Sequence, residues 1–198
     1  MAHADSPSIS FVDALWPVRG AGRVVRAVLL AALGSALLTL SAKLQVPFYP
    51  VPMTMQTLVV LLIGVGFGAG LGAATVLLYL AEGAVGLPVF AGTPEKGIGL
   101  AYMLGPTGGY LVGFVLAAAI TGWIAERRRD AAALALAVVV GMIAIYTPGV
   151  LWLAHIVGLD KALELGLAPF VWGDLLKGAL AFALALGGAA MVRRRLGV

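Results

Sequence analysis

The sequence predicts an all-α integral membrane protein of six transmembrane helices, with both termini on the cytoplasmic side. Three observations carry that prediction. First, 62% of the 198 residues are hydrophobic and only 11% are charged, with a mean hydropathy of +1.05. Soluble domains run about 45–50% apolar and about 25% charged, so a water-soluble globule and a disordered chain are both excluded. Second, the apolar residues fall into six stretches, and a bilayer crossing needs about 20 residues. Third, the cations segregate. With the N-terminus inside, Arg19, Arg23, Arg26, Arg127, Arg128, Arg129, Arg193, Arg194 and Arg195 fall on the inner side, and Lys43, Lys96, Lys161 and Lys177 on the outer side. That is the positive-inside pattern.

Residues 1–23 are polar or broken by Pro7, Pro17 and Gly20 and read as a cytoplasmic segment. Spans are expected at 24–43, 52–67, 69–86, 103–125, 131–154 and 171–192, forming one membrane domain over 24–192. A basic cytoplasmic tail follows at 193–198. A signal peptide ending near Ser41-Ala42 is the alternative for the first span; the similar spans that follow make it one of a set. Glycines 64, 66, 68, 70 and 72 crowd the join of spans two and three and suit a tight turn or close helix contact. Backbone within lipid must satisfy itself, so helices are the default. Period-two alternation, the mark of a β-barrel, is absent. Pro148 falls inside span five and implies a local kink.

Helices in lipid associate through close backbone approach. Small residues recur every fourth position in span one (Ala27, Ala31, Ser35, and beside them Ala32 and Ala36). They do so again in span four (Gly105, Gly109, Gly113, Ala117, Thr121). On the residues alone these rows favour internal packing, with a partner membrane protein as the other use.

Polar residues gather at the outer end. Gln45, Tyr49, Thr54 and Gln56 lie there, as do Tyr79, Glu82, Glu95, Lys96, Tyr102, Thr107, Tyr110, Asp174 and Lys177. Asp174 and Lys177, three apart, share a helix face. Ionised, the first only accepts hydrogen bonds and the second only donates. Together they fit a small ligand with donors and an acceptor or carboxylate; they fit equally an ion pair near the interface. The segment 46–52 has three prolines in seven residues. It cannot be helical and should form a stiff cap in which Phe48 and Tyr49 cover a ligand or anchor at the interface. The 87–102 loop, with Phe90, is a second candidate cap.

Four ordered motifs then resemble one family. VPFYPVPMTMQTLVVLLIG at 46–64, GLPVFAG at 86–92, GPTGGYLVGF at 105–114 and GDLLKG at 173–178 are similar to the signature of the biotin-specific S components (the BioY family) of energy-coupling-factor transporters. The resemblance implies a six-helix subunit of the bacterial cytoplasmic membrane that captures biotin with high affinity. Its implied partners are a transmembrane coupling (T) subunit and two ABC ATPase subunits. It implies no cofactor. On the residues no metal site is expected, since the two histidines, His3 in the N-terminal segment and His155 at the end of span five, make no ligand cluster. By the same resemblance Asp174 and Lys177 form the ligand-binding pair. Thr54, Gln56 and Tyr49 line or cap the site with Thr107 and Tyr110; Tyr79 is a further candidate from its place among the outer polar residues. Phe90 packs the bicyclic ring. Ala27 and Ala31, or Ala32 and Ala36, dock the coupling subunit. The loop Thr93-Pro94-Glu95-Lys96 departs from the glycine-rich form of the family, and Lys96 could offer a cation to the carboxylate. Some members of the family are proposed to act without the ATPase module, so a self-sufficient carrier is the alternative.

Other classes fare worse. Without cysteine there are no disulfides, thiolate zinc sites or iron–sulfur clusters. An intramembrane serine protease would have to use Ser35 or Ser41 with His155, and no GxSxG elbow is present. No GxxxxGK[ST] loop exists, so any ATP dependence belongs to partners. The basic runs flank spans, which argues against nucleic acid.

Overall fold

Glycine and proline decide where the helices of this chain stop. In the computed structural model, which describes residues 10–95 and 97–197, a short helix α1 (Phe11–Leu15) is capped by Ser10, whose Oγ accepts from the Asp13 amide at 3.1 Å. Gly20, at φ +60°, turns the chain into α2 (Ala21–Lys43). Arg26 of α2 reaches back to the Asp13 carboxylate and the Trp16 carbonyl. Phe11 and Ala14 pack into an apolar cluster with Ala185, Ala189 and Val192.

The proline-rich segment is held between two short antiparallel strands, β1 (Gln45–Val46) and β2 (Met53–Thr54), with Gln45 opposite Thr54. The helix expected from 52 therefore begins at Gln56. α3 (Gln56–Phe67) and α4 (Ala69–Ala84) are joined by Gly68 alone, at φ +84°. A Cβ there would sit 2.0 Å from Glu126 Oε1, so the turn needs glycine both for its conformation and for its contact.

The stretch expected as one span over 103–125 is broken. α5 (Gly99–Met103) ends, and α6 (Gly108–Arg127) starts only after Gly105-Pro106. Proline lacks the amide and disfavours helix in the residue before it. Asp130 caps α7 (Ala131–Val157) by accepting from the Ala133 amide at 3.1 Å. Pro148 lies within α7 without ending it. An amphipathic helix α8 (Leu159–Gly166), not anticipated in the sequence, and a 3-10 turn at Ala168–Phe170 lead into α9 (Val171–Leu196).

α6 is the central helix: 61% of its apolar window is buried, against 28% for α2. The glycine row of α6 serves internal packing, with Gly109 against Pro148 and Gly113 against Ile145 of α7. α2, α6, α7 and the stretch Leu159–Arg195 are long and apolar enough to cross a membrane. α3 and α4 are apolar but shorter, 12 and 16 residues. At 1.5 Å per residue these span about 18 and 24 Å of a core about 30 Å thick. Arg129 over Phe11, Phe11 on Gly188 and Glu126 on Gly68 bring the three arginine clusters to one end of the bundle. The ribbon, α5 and the start of α9 lie at the other.

Candidate ligand-binding cavity

A cavity of about 510 Å³, counted out to its mouth, opens beneath the ribbon. Val51 and Pro52 of the ribbon connection and Ala91 of the 85–98 loop lie along it, and Phe114, Ile145 and Phe170 give it apolar walls.

Asp174 and Lys177 stand in the first two turns of α9, 4% and 7% exposed. Lys177 Nζ donates to Asp174 Oδ1 at 2.6 Å. The other oxygen, Oδ2, accepts from Tyr146 of α7 at 2.7 Å and from Thr57 of α3 at 3.1 Å. Three of the roughly four lone-pair positions of the carboxylate are therefore in use. The pair is buried, mutually neutralised and oriented from three helices.

Thr54 and Gln56, on the ribbon and at the start of α3, also line the cavity. Gln56 Nε2 donates to the Tyr79 hydroxyl at 2.8 Å, and that hydroxyl donates to the Val89 carbonyl at 3.2 Å. Tyr79 thus stands behind Gln56 and fixes it. Phe90 also lies one layer back, edge-on to Tyr79 and stacked on Tyr102 at 4.8 Å. It fills the space over Gly83, where a Cβ would come within 2.0 Å of its ring. Thr107 and Tyr110 line the wall, and the Tyr110 hydroxyl is tied to the Gly166 carbonyl at 2.7 Å. Tyr49 is 85% exposed and away from the cavity. Lys96 lies outside the described residues.

Lys43 at the end of α2 donates to the Phe90 carbonyl at 2.9 Å and the Thr93 hydroxyl at 3.0 Å, tying the 85–98 loop to the bundle. Phe48 meets Phe170 edge-on at 6.1 Å, tying the ribbon to the cavity wall.

Sequence reasoning missed Tyr146 and Thr57 as site residues, and placed Tyr102 among the outer polar residues without giving it a role. Tyr146 carried a signal, being one of five tyrosines and set in an otherwise apolar span. Thr57 follows Gln56 directly. Burial pushes the Tyr102 phenol above its ordinary value, opposed by a hydrogen bond with Thr107. The rival serine set does not assemble: Ser35 donates to Glu82, Ser41 to the Leu38 carbonyl at 2.8 Å, and His155 is exposed. No cluster of three metal-ligating side chains occurs among the described residues. On α2, Ala32 and Ala36 are exposed between Leu29, Leu33, Leu37 and Leu40, whereas Ala27 and Ala31 are half-buried.

Residues 11–194 match the model of the BioY family. A probable biotin transporter BioY of Pyrococcus horikoshii is 40% identical over 158 residues, covering 80% of this chain and 93% of that protein. The biotin transporter BioY of Thermotoga maritima is 39% identical over 163 residues, covering 82% and 95%. A crystal structure of the S-component for biotin from an ECF-type ABC transporter shares the fold at a TM-score of 0.68, with 22% identity, covering 91% of this chain and 96% of that one. These relatives are named transporters, and with its long apolar helices this chain is a multi-pass membrane protein that belongs to the BioY family.

Proposed function

We propose that this protein captures biotin in the cavity beneath the ribbon and serves its uptake across the bacterial cytoplasmic membrane. In this reading it is the substrate-binding subunit of an ECF-type ABC transporter, working with a T subunit and two ATPase subunits. Six helices cross the bilayer, α3 and α4 being completed at the outer face by the ribbon and the 85–98 loop, and both termini are cytoplasmic.

The observation that carries the reading is the buried Asp174–Lys177 pair at the side of an apolar cavity. Biotin offers an apolar bicycle whose ureido edge has two N–H donors and one carbonyl. Asp174 keeps about one acceptor position unused, and Lys177 has two N–H groups beyond the one it gives to Asp174. An acceptor and a donor side by side match that edge. Phe114, Ile145 and Phe170 suit the apolar ring. For the docking of the T subunit, the exposure of Ala32 and Ala36 favours that row over Ala27 and Ala31.

The test is calorimetric titration of the purified protein with biotin, beside Asp174→Asn. One-to-one binding, weakened about 10–150-fold by loss of a hydrogen bond to a charged group, supports the site. Absence of binding by the folded parent refutes the assignment. Uptake by cells with and without a T subunit and ATPases then separates the coupled subunit from a self-sufficient carrier. Ala32→Leu/Ala36→Leu should reduce coupled uptake and leave biotin binding intact.

A further inference from the structure

Away from the cavity, a groove of about 690 Å³ lies between the last turns of α6 and the first turns of α7, at the arginine end of the bundle. Its floor is Ile124, Ala132, Ala133 and Leu136, and its polar side chains are Arg127 and Arg128 beside Trp123. The Arg127 guanidinium lies over the Trp123 ring, its Cζ 3.9 Å from the centroid, and donates to the Trp123 carbonyl at 3.2 Å. No carboxylate pairs with Arg127 among the described residues. Arg128 shares its charge with Asp130 at 3.0 Å, both largely exposed. Glu126 turns away to the Ala69 amide, and Arg129 lies over Phe11 on another face. Two cations therefore face one carboxylate.

From the groove, Leu136, Val139 and Ile143 continue as exposed residues along α7. Their spacing of three and four keeps them on one helix face. The order along the surface is cation, indole, apolar strip, which is the order phosphate, glycerol level, acyl chain in a phospholipid leaflet. A peptide laid here would bring backbone amides against a floor that offers them no partner. An acyl chain needs none.

We propose that this groove holds one anionic phospholipid, its phosphate on Arg127 and Arg128 and one acyl chain along Leu136, Val139 and Ile143. The site is separate from the biotin cavity and does not depend on it.

The test uses the full-length protein in phosphatidylcholine vesicles containing graded amounts of brominated phosphatidylglycerol or, in parallel, brominated phosphatidylcholine. Tryptophan fluorescence reports contact. Phosphatidylglycerol should quench at lower mole fraction, and Trp123→Phe should remove that component. Arg127→Gln/Arg128→Gln should lower the preference by about fivefold for each arginine, and Arg127→Lys/Arg128→Lys should keep most of it. Arg193→Gln/Arg194→Gln/Arg195→Gln should leave it unchanged. Circular dichroism checks that each variant is folded. Equal quenching by the two lipids overturns the proposal, as does an equal loss in the tail variant, which would assign the effect to overall charge. A parent that self-associates in size-exclusion chromatography with light scattering, and an Arg127/Arg128 double variant that does not, would overturn it too, by making the groove an interface between copies.

Discussion

Replacing Lys177 by methionine leaves the Asp174 carboxylate buried without its cation. The two side chains are 9% and 6% exposed, with Nζ 2.6 Å from Oδ1. Removing one partner of such a pair costs about 3–5 kcal/mol. Tyr146 and Thr57 still donate to Oδ2 at 2.7 and 3.1 Å, and hydrogen bonds to a charged group contribute about 1.5–3 kcal/mol each. The low end, about 3 kcal/mol, is therefore expected. For a chain of this size that lowers Tm by about 6–12 °C. Asp174→Asn/Lys177→Met removes both charges and should recover most of the loss, since a neutral pair of similar shape has no buried charge to compensate. Tm would be followed by intrinsic tryptophan fluorescence in detergent, because a protein without cysteine gives no signal with thiol-reactive dyes. A single variant that melts within about 2 °C of the parent, or a double variant no more stable than the single, would refute the claim that the pair is desolvated and mutually compensating.

Tyr146→Phe removes one donor to Asp174 while keeping the ring that meets Tyr110 edge-on; biotin affinity by calorimetry should fall about tenfold, with the fold intact by circular dichroism. Gly109→Ala would place a Cβ 2.3 Å from the Pro148 carbonyl oxygen and 2.4 Å from Trp152 Cβ. α6 and α7 must then separate, at about 1–3 kcal/mol, read as a lowered Tm. The Asp130 carboxyl is held below its ordinary value, first by the Ala133 amide and then by Arg128. A depressed folded pKa gives stability that is present above the ordinary carboxylate value and lost as pH falls through the folded one. Protection of the Ala133 amide, its exchange rate measured against the intrinsic rate at the same pH, should therefore fall on acidification below about pH 4, and Asp130→Ala should show the low protection at every pH.

Much of the architecture was written in local chemistry. A glycine-rich join between α3 and α4, the non-helical 46–52 segment and the Asp174–Lys177 pair each follow from one or two residue types close together in the chain, though which glycine makes the turn, Gly68, came from the structure. The break before α6 was missed: a continuous span was expected over 103–125 although Pro106 stands inside it. α8 was missed because its eight residues are amphipathic and too short for a hydropathy window. The part of the site drawn from α3 and α7 was not legible: nothing near Thr57 or Tyr146 in the chain points to Asp174, 117 and 28 residues away.

The sequence by itself determined that the chain lives in a membrane, which end carries the arginines, and which family it belongs to. Those properties are sums over local composition or motifs that survive any packing. Only the tertiary structure decided that Tyr79 and Phe90 support the cavity from one layer behind, that Tyr49 faces outward, and that Ala32 and Ala36 rather than Ala27 and Ala31 stand free on α2. It also decided that Gly109 and Gly113 of α6 pack on α7. Each of these depends on how one helix is rotated against another. That rotation is set by side-chain interlocking between segments distant in the chain.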